Sequence, residues 1–74
     1  MARLPAISGL QAVAAFQRAG FDLSRQRGSH IIMVKAGMPV TLSVPDHRRL
    51  KPGTLRALIR KAGLTVEEFA ELVK

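Results

Sequence analysis

Two guanidiniums and an imidazole fall within six residues in the run Arg25-Gln26-Arg27-Gly28-Ser29-His30. A spacing of two sets Arg25 and Arg27 on one face of an extended segment. Gly28-Ser29 is a turn pair that carries the chain back, so His30 opens the next strand just across from them. Arginine grips phosphate oxygens in a fork. Imidazole takes or gives a proton near neutral pH. These groups suit metal-free cleavage of a phosphodiester, and RNA carries its own nucleophile in the 2′-OH. His30 could deprotonate that hydroxyl or protonate the departing 5′-oxygen, while arginines stabilise charge on a phosphorane-like transition state. The plainer reading is a surface histidine at a turn, and residue types alone leave both open. Period two adds a further ambiguity. His30 lines up with Ile32 and Val34, and if those face the helices, His30 sits at the rim of the covered face.

A second basic segment, Pro45-Asp46-His47-Arg48-Arg49-Leu50-Lys51, precedes a helix opened by Pro52. It reads either as a solvated loop or as a phosphate-binding loop near a helix N-terminus, where free N–H groups favour anions. The clustering of positive charge favours phosphate. The candidate site is therefore His30 as proton-transfer group, with Arg25, Arg27, Ser29, His47 and Lys51 as RNA contacts. Arg56, Arg60 and Lys61 form a helix face that adds positive field.

Other chemistries find little support. The two histidines have no third ligand beside them, and the chain has no cysteine, whereas a catalytic zinc normally takes three protein ligands. No glycine-rich phosphate loop or dinucleotide fingerprint occurs. A triad of Ser29, His30 and Asp46 asks sequence neighbours in a turn to reach a geometry they rarely attain, and no oxyanion element accompanies them. No metal and no cofactor are expected.

The elements that must hold this site follow from pattern. A chain of 74 residues is expected to form one domain, residues 1–74, with a thin core built on Leu, Ile, Val and Ala, because only Phe16, Phe21 and Phe69 are aromatic. Residues 1–7 read as an extended lead-in. Ser8 caps a helix over 9–19 with a stripe of Leu10, Val13 and Phe16, and Gly20 stops it. Residues 21–27 alternate as a strand with Phe21 and Leu23 on one side, residues 30–35 form a second strand, and Val40, Leu42 and Val44 alternate in a third. Leu55, Leu58 and Ile59 mark a helix ended by Gly63, and Thr65 with Glu68 opens a last short helix. The expectation is an α+β fold of order α-β-β-β-α, with a three-stranded antiparallel sheet and a short C-terminal helix, like a double-stranded-RNA-binding domain.

Charge names the partner class. Twelve Lys and Arg oppose five Asp and Glu, and eleven of the twelve lie in residues 1–64 against only Asp22 and Asp46. Such a body draws polyanions, nucleic acid above all. An anionic membrane surface competes, but neither a basic amphipathic helix nor a lipid anchor is evident. No apolar run approaches a membrane span and the first ten residues show no secretory pattern, so a cytoplasmic location is expected.

At whole-chain scale these segments resemble the HicA family of bacterial toxins. The resemblance is carried by Arg25-Gln26-Arg27-Gly28-Ser29-His30, Val44-Pro45-Asp46-His47, Leu50-Lys51-Pro52-Gly53-Thr54-Leu55-Arg56 and Ala62-Gly63-Leu64-Thr65-Val66-Glu67-Glu68-Phe69. The opening Leu4-Pro5 with Ser8-Gly9 and the Ala19-Gly20-Phe21 junction also fit. The resemblance implies a type II toxin–antitoxin toxin with a double-stranded-RNA-binding-like fold. It implies a ribosome-independent mRNA interferase, an endoribonuclease, whose Gly-Ser-His histidine, here His30, is catalytic, and a HicB antitoxin that blocks the site. Ile31 stands where many members carry a second histidine or another polar residue, and Gln11 where an acidic residue is common. Two other readings use the same residues: a non-catalytic RNA-binding module, and an inert subunit that only binds an antitoxin.

Overall fold

The computed structural model describes residues 3–74. Helix α1 (Gly9–Arg18) leads into strands β1 (Asp22–Arg27), β2 (His30–Lys35) and β3 (Met38–Pro45), followed by helices α2 (Pro52–Lys61) and α3 (Val66–Val73). This is the expected α+β order, within a residue or two at most boundaries. The lead-in is extended over its described part, residues 3–7; residues 1 and 2 lie outside the described residues.

Local chemistry sets the helix ends. Ser8 Oγ accepts the Gln11 backbone N–H at 3.1 Å, and Gln11 Oε1 accepts the Ser8 N–H at 2.9 Å, a reciprocal capping box. Gln11 thus has a structural task that its sequence position alone did not reveal. Thr65 and Glu68 form the same box on α3, at 3.0 and 2.8 Å. At the far end of α1, Gly20 takes φ +100°, which permits the turn into β1. Lys35 Nζ donates to the Ala19 carbonyl at 2.8 Å and lies 5.6 Å from the centre of the Phe21 ring. Its charge therefore rests on the negative end of α1 and on an aromatic face at once.

The strands form one antiparallel sheet in the order β1-β2-β3. Ile31 and Met33 of β2 lie opposite Val44 and Leu42 of β3, and all four are buried. With Phe16, Phe21, Phe69, Leu55 and Ile59 they belong to a single apolar cluster. Helix α1 packs on β1 and β3, α2 packs on β3, and α3 packs on both other helices, so one face of the sheet is covered.

Two packing expectations need correction. Leu10 is 61% exposed and not part of the core stripe. The buried positions of α1 include Gly9, Ala12, Val13 and Phe16, which follow the i, i+3, i+4, i+7 pattern of a helix face, and Leu10 falls beside it. Phe21 and Leu23 do not share an environment either. Phe21 turns inward just before β1, whereas Leu23, opposite Met33 on an edge strand, stays half in solvent.

Candidate active site

Strand register places His30 between Arg27 on β1 and Pro45 on β3. Because Ile31 and Met33 point into the core, His30, Ile32 and Val34 point the other way. That resolves the ambiguity left by periodicity: His30 is on the open face, not at the rim of the covered one. Its ring is exposed at the hairpin end of the sheet. Arg27 is directly across, and paired side chains on one face have Cβ atoms about 4.5–5.5 Å apart. Arg25 sits opposite Ile32, one step along the same face and diagonal to His30. Ser24 is left unpaired by a bulge between Leu23 and Arg25, and this keeps both arginines on the open side.

The turn is braced from two directions. Gly28 has φ +58° at the first turn position, as a two-residue hairpin with glycine leading requires. Gln26 Nε2 donates to the Gly28 carbonyl at 3.1 Å, and the Asp46 N–H donates to the Ser29 carbonyl at 2.6 Å. The second bond extends the β2–β3 ladder one step past His30. Asp46 therefore meets Ser29 through its backbone, and its exposed carboxylate makes no hydrogen bond to His30.

Arg25, Arg27 and His30 have no carboxylate partner, since the ion pair among the described residues is Lys74–Glu71. Cations left unpaired on an open face are available to an anion. No aromatic ring lies on this face, because all three phenylalanines are in the core. Beyond the cations it offers Ile32, Val34, Thr41 and Ser43. Among the described residues no three His, Asp or Glu side chains gather as metal ligands.

The remaining expected contacts are spread out. His47, two residues past the strand partner of His30, has an exposed side chain, and its carbonyl accepts the Gly9 N–H at 2.9 Å. Lys51 is the N-cap residue of α2 and makes no side-chain capping bond. Six residues separate it from Pro45, at most about 20 Å of chain, so it belongs to a neighbouring region of the surface. Thus Arg25, Arg27, Ser29 and His30 come together on one hairpin, His47 borders them, and Lys51 does not join them.

Gly9 is a positioning residue that sequence reading passed over. A Cβ there would collide with the Pro45 carbonyl oxygen, which is backbone and yields poorly. The start of α1 is therefore seated on the strand residue that faces His30. Gly9→Ala is expected to cost about 1–3 kcal/mol, the usual range for overpacking. Urea unfolding measures that cost, and amide NMR shifts concentrated at Ser29–His30 and Pro45–His47 would locate it. An unchanged midpoint would contradict the close approach.

The fold and this face define a class: a basic α+β domain whose sheet is covered on one side and presents unpaired arginines and an imidazole on the other. A family model described as the HicA toxin of bacterial toxin–antitoxin systems matches residues 10–64, more than half of the chain, and the chain belongs to that family. Membership makes it a toxin by lineage and implies an antitoxin partner. No curated protein matches the chain. No helix among the described residues is long and apolar enough to cross a membrane.

Proposed function

We propose that the protein is an endoribonuclease toxin, an mRNA interferase acting on free RNA without the ribosome, with residues 1–74 as one toxin domain and His30 as the proton-transfer residue. The observation that carries this reading is the exposed His30 ring on the open sheet face, opposite an Arg27 that no carboxylate neutralises. Arg27 and Arg25 hold the scissile phosphate and stabilise the charge that grows on it. Ser29, at the turn, and His47, at the border, contact the strand on either side, and Lys51 contacts it further along. The ribose 2′-oxygen attacks phosphorus, the bond to the 5′-oxygen breaks, and His30 either removes the hydroxyl proton or supplies one to the leaving oxygen. The chemistry needs no metal and no cofactor. A HicB-type antitoxin in the cytoplasm restrains the toxin by covering this face.

Product ends test the mechanism. Purified protein incubated with RNA in a metal chelator, without ribosomes, is expected to leave 2′,3′-cyclic phosphate and 5′-hydroxyl ends. RNA bearing 2′-deoxyribose at the cut position should resist. Ends carrying 5′-phosphate, or a requirement for a divalent ion, would exclude the 2′-OH route. A mobility shift with no cleavage would instead support the second reading, a non-catalytic RNA-binding module, which the same unpaired cations favour.

A further inference from the structure

Away from His30, a cleft of about 430 Å³ opens between the N-terminal segment and the start of α2. Its walls are of two kinds. Leu4, Pro5, Leu50 and Pro52 are apolar, with Leu50 buried and Leu4 and Pro5 half-buried. Arg49, Lys51 and Arg56 are exposed cations. Arg56 also lines an adjoining cleft of about 280 Å³ that includes Arg60. No carboxylate lines either cleft, and none of these four cations is ion-paired.

Four unneutralised cations along one edge repel one another, and an anion would relieve that repulsion. The apolar wall narrows the choice of anion. It suits a ligand that joins a flat, weakly polar unit to a phosphate, and an unpaired nucleotide is such a ligand. A base can lie against Leu and Pro and under a guanidinium plane, with its phosphates on the cations. A base held in a duplex cannot enter. Arg56 and Arg60 are one helical turn apart, with Cβ atoms about 5–6 Å apart, so the cation row can follow successive phosphates of a single strand.

Continuity with the His30 end favours RNA over an acidic peptide. The Leu50 N–H donates to the Ile7 carbonyl at 2.9 Å, and the Gly9 N–H donates to the His47 carbonyl at 2.9 Å. These two bonds lace the wall of the cleft to the segment that leaves Pro45, the strand partner of His30. The cleft is thus fixed relative to the hairpin and lies within about 20 Å of chain from it.

We propose that this cleft is a flanking-nucleotide subsite: it takes one unpaired nucleotide of the strand whose scissile phosphate lies at His30, with the base on Leu4, Pro5 and Leu50 and the phosphates on Arg49 and Arg56. The subsite rests on the RNA reading above and adds to it a second, base-accepting point of contact. It makes the protein a reader of single strands several nucleotides long.

A length series tests the subsite. Fluorescence anisotropy measures binding of 2′-O-methyl RNA oligonucleotides, which cannot be cut, from a dinucleotide to a dodecamer. The wild-type protein is compared with the double variant Arg49→Gln, Arg56→Gln and with Leu4→Ser. Wild-type affinity is expected to step up once the oligonucleotide spans hairpin and cleft. The double variant should lose about tenfold on the long oligonucleotides and nothing on the dinucleotide, and its logarithmic salt slope should fall by about 1.4, the single-strand value for two phosphates. Leu4→Ser should remove part of the same step with the salt slope unchanged, since it deletes only the surface for the base. Equal affinities of the three proteins at every length would overturn the subsite and leave cleavage at His30 untouched. An intact length step with weakened binding of the antitoxin would overturn it in favour of a protein-docking cleft. Wild-type protein that binds no oligonucleotide at any length would overturn the subsite and the RNA reading together.

Discussion

His30→Ala is expected to abolish growth arrest and to cut the rate of RNA cleavage by about 10²–10⁴, the usual contribution of one general acid–base group. At about 1.36 kcal/mol per decade this is roughly 3–5.5 kcal/mol of transition-state stabilisation. Little else should change. The ring is exposed, makes no hydrogen bond and fills no part of the core, so stability should stay within about 0.5 kcal/mol of wild type. RNA affinity should persist, because Arg25 and Arg27 remain on the same face. A gel assay of cleavage, an anisotropy titration and a thermal melt on one preparation separate these quantities. A variant that cleaves RNA and arrests growth like wild type would remove the imidazole from the reaction. One that melts early would show that the residue was structural after all.

The placement of His30 was only half visible in the sequence. The hairpin and its arginines were legible because Gly28-Ser29 is turn chemistry and the arginines are two apart. The face was not. Ile31-Ile32-Met33-Val34 is an unbroken apolar run, so period two has no polar residue inside β2 to fix its phase. The phase lies in β3, where Leu42 and Val44 alternate with Thr41 and Ser43. It reaches β2 only through pairing, with Ile31 opposite Val44 and Met33 opposite Leu42. Register is a tertiary fact, and one residue of slip would have sent His30 into the core.

The helix ends were the most legible features, because caps are local. Ser8, Gly20, Gly63 and the Thr65–Glu68 pair all act where their types suggest. The buried stripe of α1 was misread for a reason of packing. Glycine and alanine carry no strong hydropathy signal, so Leu10 outweighed Gly9 and Ala12. Close seating against Pro45 nevertheless requires the small residues. The cleft beside Leu4 escaped for a similar reason. Its two walls come from segments more than forty residues apart in sequence, and only the Leu50–Ile7 hydrogen bond joins them.

Phe16→Ala is expected to destroy cooperative folding. Phe16 is completely buried, with its ring centre 6.0 Å from that of Phe21 at 70° and 5.0 Å from that of Phe69 at 47°. It therefore joins α1 to the entry of β1 and to α3, and its loss removes both aromatic contacts at once. Replacing a buried Phe by Ala costs about 3–5 kcal/mol. A core in a chain this short rarely supplies more than about that much. Even a partial loss would lower the melting temperature by about 4–8 °C per kcal/mol. With no Trp or Tyr in the chain, the melt is read by far-UV circular dichroism and by amide dispersion in NMR. A sharp transition within a few degrees of wild type would show that the three phenylalanines do not form the centre of the core. The expected unfolding also governs how toxicity data are read. Phe16→Ala and His30→Ala should both be harmless to cells, one because no fold remains and the other because a fold remains without its proton-transfer group. Loss of toxicity therefore identifies a catalytic residue only where the melt of the same variant is unchanged.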